Sequence, residues 1–513
     1  MPGSFGLIGY LVLAVYIVAT LGLGLSFALK QKNLAGYFLA ERAAPWWAVG
    51  ISLLACDLSA ISYIGTPGWT YHNDLRYPMS TFMMPIMAGI VAYLFVPFLA
   101  RIQAFTIYEY LERRFDLKSR LFASAIFSSQ RASHMSVAIY AISLALNQIV
   151  GWPVWGCIII IGGLTTFYTV FGGMKAVLWT DVMQFFVLVG GIFAMTGVVL
   201  WHFNGDVLHI WNVAAEAGHT KLFSFDANIL NPSFWKEMTV WGIFLGLLVS
   251  QVGAYGSDQV LVQRYIAAGS ARSMTKSLIF CSLIQIPVSL LLFFLGFAFF
   301  AFYHAPENAT LLSSLDQLVT SSGGDVQNLV MPHFIRNVLP SSLAGLVFAS
   351  LFAATMSVFS SGLNSLSTVT CVDFIQRLRE SRPASGELSL TTARWVTFVW
   401  GVLVTLSAVA VYLAQMGSIV EVAAAVIGFF SGPLLGMFLL GMFTLRANST
   451  GAILGAIAGF LVAFLLRNHV SFIWYAVTGC VPTIIVGYLI SYAASPEPIQ
   501  KVYSMTIWGR SKN

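Results

Sequence analysis

Trp46-Trp47-Ala48-Val49-Gly50-Ile51-Ser52-Leu53-Leu54-Ala55-Cys56-Asp57-Leu58-Ser59-Ala60-Ile61-Ser62-Tyr63-Ile64-Gly65 is an apolar run with a carboxylate at its middle. About twenty apolar residues are what an α-helix needs to cross about 30 Å of hydrocarbon. A charge at that depth costs roughly 2.5–3.5 kcal/mol on an insertion scale, so Asp57 is expected to face a cavity and bind something.

Outward from this stretch, apolar segments of similar length recur along the 513 residues. Thirteen spans are expected, at 6–28, 46–71, 79–101, 121–149, 153–172, 177–202, 238–262, 275–303, 338–372, 390–414, 418–444, 450–467 and 472–494. The first is a leader, the next ten are core helices one to ten, and the last two are C-terminal helices before a tail at 495–513. The chain therefore reads as a single all-α polytopic membrane domain over 1–513, with a core at 46–444 and extra helices at 450–494. Met1-Pro2-Gly3-Ser4 lacks the basic start of a signal peptide, so the leader is expected to stay.

Only 9% of the residues are charged, against about 25% in soluble domains, which makes the lipid bilayer the first partner. Of the 26 Lys and Arg, 20 fall in alternate loops, including Lys30, Lys32, Arg113, Arg114, Arg120, Lys175, Arg264, Arg377 and Arg382. Cytoplasmic loops collect such residues. The expected topology is N-terminus outside and C-terminus cytoplasmic, in a plasma or inner membrane. The net charge of +6 is then a topology signal and gives no support to nucleic-acid binding.

Several classes fall away. No phosphate-binding glycine loop of the Gly-x-x-x-x-Gly-Lys kind occurs, which argues against a primary pump. Cys56, Cys157, Cys281, Cys371 and Cys480 have no metal-type spacing and read as packing residues. No nucleophile, base and metal set converges, so no enzyme and no organic cofactor are expected; nor is an obligate protein partner evident. Asn308-Ala309-Thr310 is a glycosylation sequon in an external loop. The Tyr108–Phe115 run reads as an interfacial amphipathic tether, and Lys175 as an interfacial anchor.

Core helix six lies five spans after core helix one and runs the opposite way. Both are interrupted, at Ala55–Ser59 and at Ser250–Asp258. Paired breaks at matching places in inverted halves point to a transporter's central site, because free backbone at that depth survives only beside a cavity. Core helix eight carries Ser357, Ser360, Ser361 and Asn364 at i, i+3, i+4 and i+7, which puts them on one face. Such a stripe suits a hard cation, although serine faces also let membrane helices pack closely.

Three segments carry a family resemblance: Thr165–Gln184 with its Phe171-Gly172-Gly173-Met174-Lys175 centre, Asp258-Gln259-Val260-Leu261-Val262-Gln263-Arg264-Tyr265, and the run ending Leu363-Asn364-Ser365. The chain resembles the solute:sodium symporter family over nearly all of its length, and within it the iodide, multivitamin, monocarboxylate and sialic-acid branch. The resemblance implies a LeuT-like 5+5 inverted repeat with alternating access. It also implies symport of a small polar solute, with an organic anion as first expectation, and Na+ as coupling ion. A proton-coupled or uncoupled carrier of a neutral sugar or other small solute, with Asp57 and Asp181 titrating, is the alternative.

By resemblance the usual sodium site uses the carbonyls of Ala55, Leu58 and Ala354 and the hydroxyl of Ser357. Val358 stands where a second hydroxyl is expected. A second site of some sialic-acid symporters matches at Asp181, Ser357, Ser360 and Ser361, with Asp57 in place of a threonine. Proline symporters have an aspartate in a similar Ala-x-Asp-x-Ser context. Asp57 is therefore expected to replace the oxygen lost at Val358, with solute contact as the rival role. In sialic-acid symporters the position of His134 carries an arginine that holds the substrate carboxylate, and Arg131 lies one turn away, either for that task or to neutralise an acid. Ser59, Ser62, Tyr77, Thr81, Gln251, Tyr255, Asp258 and Gln259 are the remaining polar candidates, and Tyr255, Phe429 and Phe430 are candidate gates.

Overall fold

Core helix one breaks because two backbone donors leave the helical pattern. The Leu58 N–H still donates to Leu54, but the Ser59 N–H turns back to the carbonyl of Asp57 at 2.9 Å. Trp46–Asp57 ends there, and Ser59 starts Ala60–His72 with its hydroxyl accepting from the Ser62 N–H at 3.3 Å. A serine in extended backbone is a favoured cap because its oxygen satisfies an N–H that a helix start leaves open. The two halves bend by 59°. Core helix six breaks by related chemistry: Leu248–Ser257 stops at Asp258, whose carboxylate accepts from the Val260 N–H at 2.8 Å and begins Gln259–Ile266.

The computed structural model describes residues 6–28, 31, 33–322, 324–379, 388–414, 419–493 and 499–512. Lys30, Lys32, Arg382 and positions 495–498 and 513 of the tail lie outside them. No strand occurs among the described residues. Ten described helices are long and apolar enough to cross a membrane, eleven when the bent halves of core helix one count as one span. The two further expected spans have a physical account. Core helices four and five form one 49-residue helix, Val154–His202, about 74 Å long at the helical rise and so more than twice the hydrocarbon thickness. Gly173 turns it at φ 58°, where a Cβ would lie 2.7 Å from the Tyr37 ring. Core helix six is shortened on both sides of Asp258, which leaves Gly242–Ser257 as a short apolar helix.

Core helix eight, Ser341–Val369, forms the centre. Its apolar window is 83% buried, against 28% for the leader. Ala353, Ala354, Ser357, Ser361 and Gly362 let neighbouring helices approach its face closely. Trp395, Leu406, Leu465 and Leu489 are more than half exposed, as lipid-facing residues of peripheral spans should be.

Three local expectations change. Glu109–Arg114 is packed into the protein instead of lying on lipid: Tyr110, Leu111 and Arg114 are buried. Arg114 donates to the carbonyls of Gly441 at 2.9 Å, Thr444 at 2.7 Å and Ala447 at 3.1 Å, so its guanidinium satisfies the open end of core helix ten. Asn308 of the sequon is buried and its amide donates to the Phe302 carbonyl at 2.8 Å, which removes it from a glycosylating enzyme. Arg264, expected in a loop, is fully buried. Lys175 pairs with Glu41 at 2.6 Å near the surface, and all five cysteines are free and buried.

A charged cluster ties the Glu109–Arg114 helix to core helices three and eight. Arg120 meets Glu112 at 2.7 Å and Asp373 at 2.5 Å, Ser124 and Thr106 donate to Asp373, and Arg377 donates to Glu112 at 2.7 Å. Burial alone would push the Glu112 carboxyl up, but the guanidiniums of Arg377 and Arg120 reverse this and hold it below the usual carboxylate range. A depressed pKa contributes stability that is present above the unfolded value of about 4.3 and lost as pH falls through the folded value. The expected result is that acidification from pH 6 to below about pH 4 lowers the melting temperature of wild type more than that of Glu112→Gln. Equal losses in the two proteins would refute it.

Candidate functional site

The two breaks and the helices packed on them enclose a cavity of about 220 Å³. Core helix one supplies Asp57, Ser59 and Ser62 to its wall, and the segment entering core helix two supplies Tyr77 and Thr81. Arg131 and His134 come from core helix three, Gln251 and Asp258 from core helix six. Nine of the expected solute contacts therefore converge.

Three do not reach the wall. Gln259 is occupied by backbone, accepting from the Ile107 N–H and donating to the Phe105 carbonyl, each at 2.9 Å. Tyr255 is buried with its hydroxyl 3.7 Å from the Cys281 sulfur. Phe429 packs with Phe430 and Phe460, ring centroids 5.4 Å away in both cases. In each case a local partner satisfies the side chain better than an open cavity would.

Gln285 of core helix seven is one of the wall residues absent from the expected set. Its amide donates to Asp57 at 2.5 Å. The available signal was a lone amide in an apolar span, two residues before Pro287. Asp57 thus meets Gln285 at the cavity and is not hydrogen-bonded to the serine stripe. Arg131 forms an ion pair with Asp258, both largely buried. The structure therefore favours the neutralising role for Arg131, with Asp258 and not Asp57 or Asp181 as partner. Trp69 also lines the cavity and stacks obliquely on Tyr77, centroids 5.4 Å apart.

The serine stripe serves a second acid. Asp181 accepts from Ser52 at 2.5 Å and from Ser357 at 2.7 Å, and pairs with Arg264 at 3.2 Å, acid and base both fully buried. The Arg264 guanidinium also donates to Ser52 at 3.0 Å, to the Val260 carbonyl at 2.7 Å and to Ser361. Ser360 donates to the Ser357 carbonyl at 3.2 Å. At the second expected cation set, the positive charge facing the acid and hydroxyls is the chain's own guanidinium.

The first set has a different character. The Ser59 N–H bonds Asp57 in place of Ala55, and the Ser62 N–H bonds the Ser59 hydroxyl in place of Leu58. The carbonyls of Ala55 and Leu58 are thereby released from the helical ladder. Core helix eight packs against this half of core helix one and carries Ala354 and Ser357, while buried Val358 adds only methyl groups. Neutral and partly charged oxygens of this kind suit a hard monovalent cation better than a transition metal. Among the described residues no cluster of three or more His, Cys, Asp or Glu forms a metal site.

The model of the sodium:solute symporter family matches residues 37–459. The chain is 31% identical over 486 residues to a sodium/sialic acid symporter of Proteus mirabilis, covering 94% of this chain and 95% of that one. It is also 31% identical over 473 residues to sodium-coupled monocarboxylate transporter 1 of Homo sapiens, covering 90% and 73% of the two chains. A solved Na+-coupled sialic acid symporter in a substrate-bound outward-open state superimposes with a TM-score of 0.84 at 29% identity, covering 96% of this chain and 99% of that one. The nucleobase-cation symporter Mhp1 shares the LeuT-like fold, with a TM-score of 0.56 at 15% identity over 92% of this chain and 99% of its own.

Proposed function

This chain belongs to the sodium:solute symporter family, and we propose that it moves a small polar organic solute across its membrane together with sodium, by alternating access. The observation that carries this reading is the pair of released carbonyls at Ala55 and Leu58, on the same break that lines the cavity. Sodium held there with Ala354 and Ser357 would brace core helix one against core helix eight. Bracing the break orders Asp57, Ser59 and Ser62 for the solute. Binding is then reciprocal: sodium raises solute affinity and the solute raises sodium affinity by the same factor.

Asp57 offsets the charge of the cation beside it and meets the solute directly, its carboxylate being on the cavity wall. The second set, at Asp181 and Ser361, takes no sodium while Arg264 stands in it. The relatives named for sialic acid and monocarboxylates make an organic acid the precedent in this family. The basic-residue bias supports an external N-terminus and a cytoplasmic C-terminus, so the solute enters with sodium. The relatives' names support transport.

Uptake into proteoliposomes under imposed gradients tests the coupling. Sodium directed inward is expected to drive accumulation of the solute and to lower its apparent dissociation constant. Uptake driven by a pH gradient and unaffected by replacing sodium with choline would overturn sodium coupling.

A further inference from the structure

We propose that the solute is a neutral polyhydroxylated molecule, of the sugar or polyol class, bound through its hydroxyls to Asp57 and Gln285 and carrying no carboxylate. This deepens the symport reading and rests on it. The charges on the cavity wall are Asp57, Arg131 and Asp258. Arg131 and Asp258 neutralise each other in their ion pair, and among the described residues no acid pairs with the buried His134 ring to hold a proton on it. The wall therefore keeps one negative charge, that of Asp57.

A sodium ion at the released carbonyls balances that charge, and the loaded site is neutral only if the solute is neutral. A carboxylate would add an uncompensated negative charge in a cavity walled by protein, where like charges repel more strongly than in bulk water. A zwitterion brings a carboxylate with no free guanidinium to receive it. A bare amine would leave the loaded site positive.

The polar inventory points the same way. Ionised Asp57 only accepts, Gln285 both donates and accepts, and the hydroxyls of Ser59, Ser62 and Thr81 do both. The wall thus offers donors and acceptors side by side, from Asp57, Gln285, Ser59, Ser62 and Thr81. Hydroxyls match such a mixed set because each gives one hydrogen and takes two, whereas a carboxylate only accepts. Trp69 and Tyr77 add aromatic faces whose negative quadrupole complements the C–H face of a sugar ring.

The test uses purified full-length protein and ligand-induced thermal stabilisation in sodium chloride and in choline chloride. The neutral probes are glucose, galactose, mannose, mannitol and inositol. The acids are glucuronate, galacturonate, gluconate, N-acetylneuraminate and lactate. The expected result is that at least one neutral probe stabilises the protein, with an apparent affinity at least tenfold above that of every acid. His134→Arg, which adds a positive charge beside the cavity, is expected to narrow the gap between a hexose and its uronate at least tenfold. Stabilisation by an acid equal to or greater than that by the neutral probes would overturn the proposal, as would no stabilisation by any neutral probe. If an acid is the ligand and its binding needs sodium, the polyol class falls and symport stands. If a neutral probe binds equally in choline, the class stands and sodium coupling falls.

Discussion

Arg264→Ala is expected to lower the stability of the protein by about 3–5 kcal/mol, the usual cost of removing one member of a buried ion pair. Arg264 and Asp181 are both fully buried, and the guanidinium holds Ser52, the Val260 carbonyl and Ser361 as well as the acid. Deleting it leaves a carboxylate with two hydroxyl donors and no counter-charge in the middle of the bundle. The large term is the stranded charge and not the intrinsic worth of the pair, since burying two ions costs nearly as much as their attraction returns. This explanation makes a second outcome necessary: Arg264→Met combined with Asp181→Asn should recover most of the loss. The measurement is the melting temperature of the detergent-solubilised protein with and without sodium. A single replacement as stable as wild type, or a double replacement worse than the single one, would show that the cluster is not held by charge.

Asp57→Asn is expected to weaken apparent binding of both sodium and solute by roughly 10–100-fold, in line with loss of a charged hydrogen-bonding group worth about 1.5–3 kcal/mol. The replacement is nearly isosteric and its carbonyl still accepts from Gln285, which meets Asp57 at 2.5 Å. Folding is therefore expected to survive, and any loss reports the missing charge. Sodium loses the anion that balances it, and the solute loses its strongest acceptor. Titrating sodium at fixed solute, and solute at fixed sodium, separates the two effects. An unchanged sodium constant with a weakened solute constant would remove Asp57 from cation binding and leave it as a solute contact. A carrier as active as wild type at every sodium concentration would remove it from both roles.

Much of the architecture was legible because it is written in one dimension. The length of an apolar run is set by the bilayer, and each expected span corresponds to a helix, to part of one, or to helical segments in series. The breaks at Asp57 and Asp258 were readable too, since Ser59 and Asp258 are residues whose short oxygen-bearing side chains start helices. Nine of the solute candidates line one cavity because polar side chains near a break have few other places to be in an apolar bundle. Tyr255, Gln259 and Phe429 stay off the cavity wall because of distant partners that no local pattern announces, as Gln259 shows: its amide is taken up by Phe105 and Ile107, residues more than 150 positions away in the chain.

What the sequence determined by itself is the membrane class, the spans, the two breaks and the presence of buried charge, all consequences of local composition and backbone preference. Only the tertiary structure decided which charges meet. Asp57 is 228 positions from Gln285, Arg131 is 127 from Asp258, and Asp181 is 83 from Arg264. Helix crossings bring these residues together, and no local pattern encodes a crossing. The same carboxylates would make a different site if Arg131 faced open space or Arg264 lay in a loop, because in a medium that screens poorly the nearest opposite charge sets what a buried group does.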